Sequence, residues 1–113
     1  MMVTRNAFYI NEEEIPMKLL IYGMDACINC REAKDFLNEH EIPFMYFDIT
    51  ETTGNMKKFL KLRDHDDLFA GVREAGKIGI PCFKLEDGTM TLDMNVVLEK
   101  LGRTDLHYRE AQC

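Results

Sequence analysis

The chain has 113 residues, the size of one domain, and is long enough to bury a single core without cross-links. Its 46% hydrophobic and 30% charged residues exclude a disordered chain, and a formal net charge of −6 with no basic cluster argues against a nucleic-acid partner. No apolar run reaches bilayer length, and the opening MMVTRNAFYINEEEIP lacks the apolar stretch of a signal peptide, so a cytoplasmic protein without a membrane partner is expected.

Residues 1–16 read as an N-terminal extension, in which Ala7–Ile10 would add an edge strand and Glu12–Glu14 form a solvated run. Met17–Tyr22, ending at Gly23, has the pattern of a short buried strand. Asp25 is placed to cap a helix whose apolar residues Cys30, Ala33, Phe36 and Leu37 share one face. After Pro43, the aromatic and β-forming run Phe44–Ile49 is expected as the second strand. The spacing then predicts a helix over 55–63 with Met56, Phe59 and Leu60 inward. A shorter helix follows, capped by Asp66 or Asp67, carrying Leu68, Phe69 and Val72 and ending at Gly76.

Asp87-Gly88 between Cys82–Glu86 and Thr89–Leu92 is a hairpin signal. Asp93 caps a last helix with Met94, Val97, Leu98 and Leu101 at i, i+3, i+4 and i+7, closed by Gly102, and residues 103–113 read as a polar tail. A right-handed crossover makes the first two strands parallel, and the hairpin adds an antiparallel pair. The expected domain, residues 17–102, is therefore an α/β mixed four-stranded sheet with helices on both faces.

Of the four cysteines, Cys27 and Cys30 stand at C-x-x-C spacing, which fits a redox centre or half of a metal site. Cys27 opens a helix just after a strand, where unpaired backbone N–H groups and the positive end of the helix dipole favour a thiolate. Arg31 would add to that effect and Asp25 oppose it. Residues at i and i+3 on a helix lie about 5–6 Å apart, inside the Cα separation of roughly 4.4–6.8 Å that a disulfide requires. Cys27 can thus attack a disulfide and Cys30 release the product. Zinc would need two further ligands, and Cys82, Cys113, His40, His65 and His107 are scattered singly, so no metal is expected. His40 and His65 read as surface or helix-end residues. The eight methionines, including Met24, Met45, Met56 and Met94, read as core gap-fillers, and Glu12–Glu14 and Asp64–Asp67 as solvated loops. Tyr22 and Phe83 are expected to pack beneath the site.

The strand KLLIYG, the helix opened by C-x-x-C (CINCREAKDFL), and then EIPFMYFDI and GIPCFKLEDG together resemble the glutaredoxins over about Met17–Leu101. The resemblance implies a thioredoxin-like fold and an oxidoreductase acting on protein or low-molecular-weight disulfides in cell redox homeostasis. It implies Cys27 as nucleophile, Cys30 as resolving thiol, and a cis Pro81 packed against the pair. The backbone of Ile80 would then pair with incoming substrate. Electrons would come from glutathione or a thioredoxin-reductase-type system, and the chain is expected to act as a monomer.

Three positions depart from the family. Met24 stands where a Lys is usual, Leu92-Asp93-Met94-Asn95 where Gly-Gly and acids are usual, and Ile28-Asn29 where Pro-Tyr is frequent. The first two hold glutathione in the family, so its site is expected to be eroded, no cofactor is expected, and Arg63 or Arg73 would have to supply the missing charge. Two other functions fit the resemblance: an iron–sulfur protein holding its cluster through Cys27, and a non-enzymatic adaptor. Alternation from Pro81 puts Cys82 on the opposite sheet face, which favours a small hydrophobic residue there over the alternative of a third redox thiol or metal ligand.

Overall fold

A computed structural model describes residues 19–109; the readings of residues 1–18 and of Cys113 lie outside the described residues. The apolar run is the strand β1 (Leu19–Gly23). It pairs in parallel with β2 (Met45–Asp48), Ile21 opposite Tyr46, and antiparallel with β3 (Cys82–Leu85), Tyr22 opposite Cys82. A short β4 (Met90–Thr91) completes the order β2-β1-β3-β4, so the expected mixed sheet forms.

Alternation along these strands builds two cores. On one face Leu19, Ile21, Phe83 and Leu85 meet Ala33 and Leu37 of α1 (Ile28–Glu39) and Met94, Val97 and Leu98 of α4 (Met94–Lys100). On the other, Tyr22 and Cys82 meet Phe59 of α2 (Thr53–His65) and Phe69. Phe69 lies in a 3₁₀ turn, Asp67–Phe69, that runs into α3 (Ala70–Glu74). Phe59, Phe69 and Phe83 are fully buried, each contributing about 1.5–3 kcal/mol relative to exposure. Among the described residues no helix is long and apolar enough to cross a membrane.

Local capping explains the boundaries. Thr52 Oγ1 accepts the Asn55 N–H at 3.0 Å, which starts α2 ahead of Asn55. Asp66 caps the 3₁₀ turn through the Leu68 N–H at 2.9 Å, and Asp93 caps α4 through the Asn95 N–H at 2.9 Å. Three expectations are corrected. Leu60 is exposed and Leu62 packs inward instead, because Met56, Phe59 and Leu62 continue one row while Leu60 lies about 100° round the helix from Phe59. Met94 is buried and Met24 and Met56 half-buried, but Met45, at the start of an edge strand, is exposed.

The described part of the tail is not merely polar, since Leu106 and Tyr108 pack on the first core. Asn95 fastens it. Its Nδ2 donates to the Tyr108 carbonyl at 3.0 Å, and its Oδ1 accepts the Tyr108 N–H at 2.8 Å.

Candidate active site

The strand-to-helix junction orders both cysteines. The Cys27 N–H donates to the Met24 carbonyl at 3.1 Å, so the loop makes a full turn before the helix begins. As a result the N-cap of α1 is Cys27, not Asp25. Cys27 has extended backbone (φ −91°, ψ 120°), and its Sγ accepts the Cys30 N–H at 3.4 Å. A sulfur thus fills the place usually taken by a Ser, Thr, Asp or Asn oxygen.

Asp25 turns outward, accepting from Lys34 Nζ at 3.0 Å, while its main-chain carbonyl accepts from Arg31 at 2.7 Å. The two charges expected to act on Cys27 are therefore both engaged: Lys34 offsets Asp25, and Arg31 braces the loop.

Both thiols are free, and their surroundings differ. Cys27 is half-buried, whereas Cys30, one turn further, has no exposed surface. Burial raises the Cys30 pKa well above the ordinary thiol value, and the neighbouring Cys27 sulfur adds to the rise.

Cys27 opens into a cleft of about 720 Å³ that Met24, Lys77, Ile80, Pro81 and Leu92 also line. The Ile80–Pro81 peptide is cis, and Pro81 is buried next to Asn29, Ala33 and Phe83 on the α1 side of the sheet. Ile28 and Ile78 present exposed apolar side chains at the cleft, and among the described residues Lys77 is its one charged lining residue. Arg63 donates to the carbonyls of Lys77 and Ile78, and Arg73 to those of Arg63 and Asp66. Arg63 is thus spent on the backbone of the cleft wall, and Arg73 on the end of α2 that carries Arg63. The structure brings Cys27, Cys30, Ile80 and Pro81 to one end of the sheet.

Cys82 is fully buried on the other face among Tyr22, Phe59 and Phe69, as strand alternation predicts. Burial, and then the charge of Asp66, push its thiol up to about 12. Tyr22 shares that face, while Phe83 packs on the α1 side. His40 caps the end of α1 with its ring 4.6 Å from that of Phe36, and His65 ends α2. Among the described residues no three His, Cys, Asp or Glu side chains come together at a point.

Sequence reasoning missed Gly23 and Tyr46. A Cβ on Gly23 would lie 2.7 Å from the Tyr46 hydroxyl and 2.9 Å from the Cys30 sulfur, so both atoms crowd one point of β1. The available signal was pairing: Tyr46 opposite Ile21 in parallel strands puts its ring on the α1 face. Neither a scan of protein-family models nor a search of curated proteins returns a match.

Proposed function

We propose that the chain is a glutaredoxin-like thiol–disulfide oxidoreductase of the thioredoxin-like fold. The observation that carries this reading is Cys27 as the N-cap of α1, half-exposed in a cleft, with Cys30 buried one turn behind it. A helix N-terminus stabilises a thiolate through its free N–H groups and dipole, and the Cys30 N–H is already directed at the Cys27 sulfur.

In the reaction, the Cys27 thiolate attacks a substrate disulfide R–S–S–R′, forming Cys27–S–S–R and releasing R′–S⁻. Cys30 then loses its proton to solvent and attacks the Cys27 sulfur, and R–S⁻ leaves. Two electrons have passed from the dithiol to the substrate, and the protein is left with a Cys27–Cys30 disulfide.

The cleft favours protein disulfides over glutathione. Its walls are mainly apolar, Met24 and Leu92 line it where the family usually places a Lys and a glycine, and Lys77 is the single lining charge among the described residues. An anionic tripeptide would therefore find Lys77 as its one charged partner among the described lining residues, and charge-assisted bonds are about twice as strong as neutral ones. The segment through Ile80 lines the cleft together with Cys27, where a substrate strand could pair with its backbone.

Reductase activity on a protein disulfide, with a thioredoxin-reductase-type donor, is expected in the native chain and should vanish in Cys27→Ser. Cys30→Ser should still form the mixed disulfide and stall there, leaving the substrate trapped on Cys27 for identification. Undiminished activity of Cys27→Ser would refute the reading, as would faster saturable turnover with glutathione refute the substrate preference. A brown preparation with absorbance of an iron–sulfur cluster would favour that function instead.

A further inference from the structure

Deep in the junction sits a polar atom without an evident purpose. The Tyr46 hydroxyl is buried, and among the described residues it forms no well-aligned hydrogen bond. A buried hydroxyl left unpaired typically costs about 1–3 kcal/mol, so such a group calls for an explanation. Its ring is held in place from outside by Lys34, whose ammonium lies 3.9 Å from the ring centre. Its oxygen reaches the point of β1 where Gly23 lacks a side chain, and the Cys30 sulfur reaches the same point from α1.

Resting on the oxidoreductase reading above, we propose that Tyr46 takes part in the resolving step, its hydroxyl donating a hydrogen bond to the Cys30 sulfur when that sulfur becomes the attacking thiolate. Cys30 must ionise where it is fully buried, and burial opposes the charge. Of the side chains acting on it, Cys27 opposes ionisation while Tyr46 favours it. Tyr46 keeps its own proton, because burial and the negative charges of Cys30, Asp25 and Asp48 all hold its pKa up. Lys34, paired with Asp25, is the cation facing this group. The hydroxyl is therefore a donor at any pH at which the thiols work. Electrons still pass only between sulfurs: the Cys30 sulfur bonds to the Cys27 sulfur, the bond to R–S⁻ breaks, and the Cys30 proton goes to solvent.

The test uses the full chain carrying Cys113→Ser and an aromatic disulfide reagent that releases a coloured thiolate twice. The first release reports attack by Cys27, and the second reports resolution by Cys30. Tyr46→Phe removes one oxygen and leaves the packing. We expect its first release unchanged, its second about tenfold slower near neutral pH, and the pH midpoint of the second raised by about one unit. A second release with unaltered rate and midpoint overturns the proposal while leaving Cys27 as nucleophile. Both releases slowing together with a lower melting temperature also overturns it, since packing then accounts for the effect. If Cys27→Ser leaves the first release intact, the oxidoreductase reading falls, and this proposal with it.

Discussion

Replacing Gly79 by alanine should damage both stability and the cleft, for two separable reasons. Gly79 has φ +94°, a backbone region that residues with a Cβ rarely adopt, which costs about 1–3 kcal/mol. A Cβ there would also lie 2.8 Å from two carbons of the Phe69 ring and 3.2 Å from Val72 Cγ1. Phe69 is fully buried against Phe59, so its ring cannot swing away, and overpacking of this kind costs about 1–3 kcal/mol more. The combined loss of about 2–6 kcal/mol is a large part of the 5–15 kcal/mol typical of a domain.

Gly76 supplies the control. Its φ is +71°, but nothing lies within 4 Å of its would-be Cβ, so Gly76→Ala should lose only the backbone contribution, about 1–2 kcal/mol. Urea unfolding at neutral pH measures both. Gly79→Ala should fall below Gly76→Ala by about 1 M or more in midpoint, and adding Phe69→Leu should recover part of that difference. Equal losses in the two variants, or no recovery on trimming the ring, would refute the steric argument.

Other consequences concern the buried thiols and the tail. Cys30 and Cys82 both have raised pKa values in the folded chain, so the stability tied to their neutral forms is complete below the ordinary thiol pKa of 9.0. It should decline as pH rises toward about 12, and Cys82→Ala should flatten part of that decline in urea midpoints measured across the range. In native alkylation with iodoacetamide followed by peptide mass spectrometry, Cys27 should label first and Cys82 last; early labelling of Cys82 would mean that its face opens. Asn95→Ala removes both hydrogen bonds to Tyr108 and should lower stability by about 1–3 kcal/mol, with faster amide exchange at Tyr108.

What the sequence determined by itself is local. Strand alternation sent Cys82 and Pro81 to opposite faces, the i, i+3, i+4 spacing of Met94, Val97 and Leu98 fixed the buried side of α4, and the Asp87-Gly88 pair turned the chain between β3 and β4. The same local logic placed Cys27 and Cys30 one turn apart at a helix start. Capping was legible only in kind: Asp25 and Cys27 both suit the junction, and the Cys27 N–H bond to the Met24 carbonyl settles which residue caps α1.

The rest depended on contacts between segments far apart in the chain. The approach of Tyr46 to Cys30 needs β2 paired beside β1 and a glycine at position 23, and no periodicity within either segment encodes that meeting. Leu106 and Tyr108 join the core where Asn95 binds the Tyr108 backbone and the Phe36 ring meets that of Tyr108, and Leu60 faces solvent because the packing of Phe59 on Tyr22 and Phe69 sets the rotation of α2. Periodicity determines which residues of an element share a side; the exact rotation of that side, and the groups met there, follow from the tertiary packing.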